Sequence, residues 1–360
     1  MNALNHLHLK DKHLHITSDS ELLKKIYATV DNNLFQHEKY FTLIIISKLL
    51  LYSVLVIASY ASLFVVKNPI FFIIAFILFG IFLLLLAFNF AHDFSHNTIF
   101  KSKSLNNFCF TAIYTLAGAH AEAWKQRHIH SHHYAPNVEG YDSDLSISQL
   151  IRVTPGSKTS WYHRYQHLYA PVAYTTYSLF WVFVKDVVLL HSVNDIVKEK
   201  GFRYHLSFWV QKLFYVGYIL FLPLLFTNQE WYIVLIGFIL MHMVQSLFLL
   251  FTFFMTHHVE STSYPTTDKE GYINSSWLMN QVKSSNDMHP FSKTANFILG
   301  GFNNHIAHHL FPHIHHIHYP ELSRLIYHEL EEHGIEPNQT TYFGGIASHL
   351  RHLKRMGRAD

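Results

Sequence analysis

The stretch His128–His133 reads HIHSHH, four histidines in six residues. On an α-helix, His128 and His132 sit one turn apart on one face with His133 beside them. His130 offers an alternative set with His132 and His133, but it points off that face. Neutral imidazole is the commonest nitrogen ligand for Zn, Cu, Fe and Ni, so the chemistry of such a face is metal binding. A histidine run alone is a compositional signal only; two further clusters give it weight. His92-Asp-Phe-Ser-His96 repeats the one-turn spacing, and His305, His308 and His309 are spaced i, i+3, i+4. These eight histidines exceed what one tetrahedral ion can use and suit two metals with about four nitrogens each. Spacing does not choose among Fe, Zn and Cu.

The elements that must hold these clusters are membrane helices. Half of the 360 residues are hydrophobic and 14% are charged, with apolar runs long enough to cross a bilayer. Four spans are expected at about 41–66, 70–91, 206–226 and 231–255. Links at Lys67–Pro69 and Thr227–Glu230 are so short that the spans form two helical hairpins. Lys48, the only charge in the first span, is expected to snorkel to its end; Lys212 lies near the start of the third. The stretches 108–119 and 171–184 are too short to cross and read as interfacial or re-entrant, although a six-span version with the same sidedness stays open.

Residues 1–40 read as a cytoplasmic segment with an amphipathic helix (Leu22, Leu23, Ile26, Val30), opened by an S-x-x-E capping box at Ser18–Glu21. That helix lies either on the membrane surface or against the rest of the protein. No apolar stretch precedes Phe41, so no secretory signal is expected. Residues 41–320 are the membrane domain and 321–360 a helical cytoplasmic tail; Pro320, at their boundary, and Gly334 bracket a helix. Residues 1–40 carry five Lys and Arg, 92–205 eleven and 257–360 eight, against Lys67 alone on the other side. The positive-inside rule then makes both termini and all three histidine clusters cytoplasmic. The expected fold is thus an all-α integral membrane protein of four spans, with a cytoplasmic helical cap holding a di-metal site.

The single Cys109 excludes an intrachain disulfide and cysteine-based zinc or iron–sulfur sites. A formal charge of +3 gives no support to nucleic-acid binding. A metal transporter would hold its ligands inside the spans near the midplane, but the third span has no histidine and the fourth only His242. A structural protein with incidental histidines would need three coincidences.

HDFSH, RHIHSHH and HIAHHLFP resemble the three histidine boxes of the integral-membrane fatty acid desaturases and related hydroxylases. The resemblance covers roughly residues 40–320. It continues in Trp124-Lys-Gln-Arg127, Pro136–Asp142, His257-His-Val-Glu260 and Phe311-Pro312-x3-His316-x2-Tyr319, and is similar to the bacterial acyl-lipid/acyl-CoA group. It implies two irons, O2 as co-substrate, a fatty acyl substrate (CoA thioester or membrane lipid) and a bacterial inner-membrane location. It also implies His257 as a ninth ligand and Asn280 as a position facing a metal-bound water. Asp93, Asn137, Asp142 and Asp144 are candidates to accept imidazole N–H bonds behind the ligands; His316 is a candidate for electron entry or packing. His163, His167, His313, His315 and His318 are not expected to touch metal. The chain contains no HPGG motif, so electrons are expected from a separate ferredoxin or cytochrome-type protein. Three residues rather than two separate His128 from His132, and His305 stands where front-end desaturases usually have Gln. These departures leave regiochemistry open, and with it a hydroxylase or ketolase acting on lipid, alkane or carotenoid.

Overall fold

The computed structural model describes residues 12–34, 41–145, 149–191 and 201–358. Helix dominates; the named strands among these residues are a two-residue parallel pair, Asp287–Met288 with Gln339–Thr340. Among the described residues four helices are long and apolar enough to cross a membrane: Phe41–Ser62, Pro69–Ser95, Phe202–Phe226 and Trp231–Thr256. The second starts where chemistry dictates. Pro69 needs no N–H partner in the first turn, and the Asn68 side chain accepts from the Ile70 and Phe71 amides at 2.9 and 3.3 Å. It then runs through a π turn, Ala87–Ala91, to His92–Ser95, with His96 at its C-cap. Of the two short apolar stretches, one is the helix Lys103–Leu116. The other belongs to a pair, Trp161–Tyr174 and Tyr177–His191, bent by 76° at the break.

The chain divides into two compact units. One comprises Thr42–Trp124 and Pro171–Leu250 and contains the bulk of the spans. Its core is aromatic: Phe72, Phe76, Phe79, Phe90, Phe94 and Phe110 are buried. Gly80 and Gly237 let the second and fourth spans approach closely. A Cβ on Gly237 would lie 2.8 Å from the Phe76 ring, and one on Gly80 would collide with Met241. The two span lysines are both buried, and Lys48 departs from expectation. Lys48 is 3% exposed and so does not snorkel. Lys212 bonds the Asp186 carboxylate at 2.7 Å and the Gly118 carbonyl at 2.6 Å. Asp186 also accepts from the His120 amide at 2.7 Å and the Trp181 indole at 3.0 Å. Buried charges persist when they are paired and hydrogen-bonded, as Lys212 and Asp186 are.

The other unit comprises Met1–Phe41, Lys125–Ala170 and Phe251–Asp360. The helix Thr17–Asn33 packs Leu22, Ile26 and Val30 into a core shared with Leu322, Ile326 and Leu330 of the helix Tyr319–Glu332. Thr29 bonds Glu329 at 2.6 Å, and Lys25 meets Glu329 and Glu332. This helix therefore lies on protein. The expected capping box is absent, because helical geometry already starts at Thr17 with Ile16 as N-cap. Asp19 accepts instead from the Ser276 hydroxyl at 2.5 Å. The helix Tyr319–Glu332 has Pro320 in its first turn, and Gly334 follows at φ 70°, as its sequence signals indicate.

Candidate metal centre

His128–His132 forms a π turn after the short helix Ala121–Arg127. The His133 amide donates to the His128 carbonyl at 3.0 Å, five residues back. This changes the face expected from α-helical spacing. His128 and His133 bring their Nε2 atoms within 3.2 Å, and His132 is carried round to a different set of partners. Single π turns inside helices recur at functional sites because they re-aim side chains in this way. The turn is held from outside: Ser131 donates to the Tyr141 carbonyl at 2.6 Å and accepts from the Ser143 amide at 2.7 Å. That tie places Asp142 against His132.

The third cluster sits on a six-residue helix, His305–Leu310, which stops before Pro312 as that residue requires. Asp287 caps its start, accepting from the Ile306 amide at 2.9 Å and from the Tyr327 hydroxyl at 3.0 Å. Burial pushes the Asp287 carboxyl up to about 7, against the pull of those donors. His257 follows directly after the fourth span and has its backbone carbonyl bonded by the Asn137 amide group at 2.9 Å. Asn137 adopts φ 61°, one of the few non-glycine types that tolerates that region.

Four of the nine expected ligands converge within this unit. The ligand nitrogens of His132, His257, His305 and His309 all lie within 4.8 Å of one another, and all four residues are buried. His257 Nε2 is 3.0 Å from His132 Nε2, 2.7 Å from His305 Nε2 and 3.3 Å from His309 Nε2. The outer nitrogens fix the tautomers. His132 Nδ1 meets the Asp142 carboxylate at 3.0 Å, His257 Nδ1 the Ser284 carbonyl at 2.9 Å, and His309 Nδ1 the Gln281 side-chain oxygen at 2.8 Å. A carbonyl and a carboxylate can only accept, so those Nδ1 atoms carry the protons. In the neutral form the inner Nε2 atoms of His132, His257 and His309 are then left as lone pairs facing into the group. Burial first, and the neighbouring His132 second, push His257 down to about 3; burial also drives His309 well below the ordinary histidine value. Burial opposes charge on His132 too, but Asp142 outweighs it and raises that residue's pKa. Bare nitrogens at this spacing repel unless a cation lies among them. Bonds of ~2.0–2.1 Å to a tetrahedral ion put ligand nitrogens roughly 3.3 Å apart, close to the separations found here. The donor set fits a nitrogen-ligated transition metal.

His128, His133 and His308 form a second group in the same unit. His128 and His308 stack with ring centroids 5.9 Å apart, and His308 Nδ1 bonds the Tyr319 hydroxyl at 3.2 Å. His92 and His96 belong to the other unit, where their rings lie 5.1 Å apart and His92 is buried. Asp93 is buried beside them in sequence. His130 is half-buried, outside the four-nitrogen group.

Asn280 is fully buried: its oxygen meets His13 Nε2 at 3.1 Å and its nitrogen bonds the Pro136 carbonyl at 2.9 Å and Ser284 at 3.0 Å. Asp144 pairs with Arg127 at 3.3 Å and donates its amide to Asp142 at 2.9 Å. His316 is buried, stacks on His315 at 4.5 Å and uses its carbonyl to accept from Asn296. Gln281 and Ser284, which orient two ligands, carry no signal in the sequence: the Ser284 contact is made by a backbone carbonyl, and Gln281 is one amide on a short helix. Glu260 pairs with Arg351 at 2.6 Å. His258 links through the Tyr264 hydroxyl to His352. Both tie the loop after His257 to the helix Tyr342–Met356.

A family model for fatty acid desaturases matches residues 67–341. The chain is 31% identical over 290 residues to an sn-1 linoleoyl-lipid 6-desaturase of Synechocystis sp., covering 76% of this chain and 77% of that protein. It is 28% identical over 275 residues to an acyl-lipid (8-3)-desaturase of Physcomitrium patens, covering 75% of this chain but 57% of that longer protein. An acyl-lipid (7-3)-desaturase of Rebecca salina is 31% identical over 284 residues, which are 76% of this chain and 62% of its own length.

Proposed function

The chain belongs to the fatty acid desaturase family, and from that premise we propose that it is an oxygen-dependent fatty acyl desaturase holding two irons. The observation that carries the metal is the convergence of the buried ligand nitrogens of His132, His257, His305 and His309, with the Nδ1 protons of His132, His257 and His309 turned outward to acceptors. These four hold one iron; His128, His133 and His308 of the same unit are ligands of the other, and His92 and His96 keep the ligand role that the family resemblance gives the first box. Bound iron would supply O2 activation with two external electrons, which an unactivated C–H bond needs because it has no acidic proton for a general base. The protein's own part is placement and exclusion of water. Asp142, Ser284 and Gln281 hold three imidazoles in one tautomer and one orientation, and such partners set ligand basicity as well as geometry.

The substrate is an acyl chain, and the names of the relatives, acyl-lipid and linoleoyl-lipid desaturases, favour a lipid-borne one over a CoA thioester. Electrons come from a separate iron–sulfur or haem protein. The loop distribution of Lys and Arg supports both termini and the metal centre lying on the cytoplasmic side; the bacterial inner membrane is the location that the family resemblance implies. Tags placed before Met1 and after Asp360 are then both cytoplasmic; a protection assay finding them on opposite faces contradicts the two-hairpin arrangement. The activity is tested by fatty acid profiling of a host expressing the protein, with derivatisation that locates each double bond. A new unsaturated product, lost in His132→Ala, is expected. A hydroxylated product with no new double bond contradicts the reading.

A further inference from the structure

A cavity of about 710 Å3 in the histidine-bearing unit is lined by Arg164, Lys354, Arg358 and His167, with Trp161 and Leu168 at its edge. The three cations come from two distant stretches of chain, and the fold brings them together deliberately. The buried Arg152 guanidinium bonds the Met356 carbonyl and donates through Nε to the Ser157 carbonyl at 2.7 Å. Gln166 donates to the Leu353 carbonyl at 2.8 Å and to the Arg152 carbonyl at 2.9 Å. Gly357 passes so close to the His163 backbone that no side chain would fit. The segment carrying Arg164 is thus locked onto the end of the helix carrying Lys354 and Arg358.

No carboxylate lines the cavity, and none of these three cations pairs with one among the described residues. Lys354 and Arg358 at a helix C-terminus are ordinary partners of the helix dipole. Arg164, from another segment, is not explained that way; three converging positive charges with no carboxylate between them set up a local positive potential that attracts an anion. The rim points to which anion. Trp161 is 80% exposed and Leu168 66% exposed, and both stand on Trp161–Tyr174, the first half of the bent apolar pair. Exposed Trp and apolar side chains next to cations are the composition of a membrane–water interface, and basic pockets at that level take phosphate head groups.

We infer that this cavity binds the phosphate of an anionic phospholipid headgroup, fixing the Trp161–Tyr174 segment at the bilayer surface. Guanidinium and ammonium groups give phosphate its strongest charge-assisted hydrogen bonds. The site stands apart from the histidines and does not depend on the reaction assigned to them. Phosphate esters also occur in coenzyme A, so the two sources must be separated.

The test uses the full-length, metal-loaded protein in detergent micelles, with binding of phosphatidylglycerol and of phosphatidylcholine of the same acyl chains measured by native mass spectrometry. The expected result is preferential, salt-sensitive binding of phosphatidylglycerol. Combined Arg164→Gln, Lys354→Gln and Arg358→Gln should weaken it by at least about tenfold and leave phosphatidylcholine unchanged. All three side chains are exposed, so the variant should keep its thermal midpoint. Neutralising Lys269 and Lys293, exposed elsewhere in the same unit, should have no such effect. Equal binding of the two lipids, or equal loss from the Lys269/Lys293 control, would overturn the inference. So would displacement of the lipid by free coenzyme A or inorganic phosphate at comparable concentration.

Discussion

Two buried histidine networks in this protein look alike in composition and differ in what they demand. In the spans, His242 is 1% exposed. Its Nε2 meets the Tyr215 hydroxyl at 2.7 Å and its Nδ1 the Ser178 hydroxyl at 2.7 Å, while Ser246 donates to the His242 carbonyl at 2.6 Å. Hydroxyls both donate and accept, so a neutral His242 in either tautomer has a partner at each nitrogen. Around His257, by contrast, the outer nitrogens face acceptors only, and the inner ones face each other. Burial alone therefore does not mark a metal site. What marks it is four converging ring nitrogens, three of them on imidazoles whose protons are held on the outer side by acceptors.

This contrast can be broken most forcefully by removing one member of each network. His257→Ala deletes the nitrogen shared by three close contacts, so it should strip metal from the site and abolish product, a loss of at least about 100-fold. His132→Ala should do the same, whereas His318→Ala should retain a substantial part of the activity. Metal content per folded chain is the readout, because metal loss can also destabilise the fold. If His257→Ala keeps full metal content and activity, the cage has been wrongly located.

A smaller effect is expected one layer out. Asp142→Asn keeps the shape but lets the amide present a donor to His132 Nδ1, which disturbs the tautomer. Metal affinity should fall by about 10–100-fold. Gln281→Leu removes a neutral acceptor from His309 and should cost less, about tenfold or below, in a chelator-competition titration. An Asp142→Asn protein with unchanged affinity would mean that Asp142 serves the turn at Asn137 and Asp144 rather than the ligand.

The smallest effect sharpens the other side of the contrast. His242→Phe should leave metal content untouched and lower stability by roughly 1–2 kcal/mol, the range for interhelical hydrogen bonds in membranes, read as a lower thermal midpoint in detergent. Metal loss in this variant at an unchanged midpoint would contradict the division drawn between the two networks.

Much of this was legible in the sequence because histidine type and spacing are local. The boxes at His92, His128 and His305, the four spans and the helix ended by Gly334 each depend on residues close in the chain. The π turn was not legible: HIHSHH permits both a four- and a five-residue repeat, and the choice is made by Ser131 bonding Tyr141 and Ser143. Nor were Gln281 and Ser284, whose roles exist only once His309 and His257 arrive. Lys212 was placed within a span by hydropathy, but its partner Asp186 lies 26 residues away and no window sees both. The helix Thr17–Asn33 looked equally suited to membrane or protein, and Leu322, Ile326 and Leu330 decided it.

Metal analysis of the purified protein, by elemental quantification against chain concentration, tests the account most directly. Two irons per chain, falling in His257→Ala at an unchanged amount of folded protein, is the result expected from nine histidine ligands shared between two ions. One zinc per chain and no iron would contradict it.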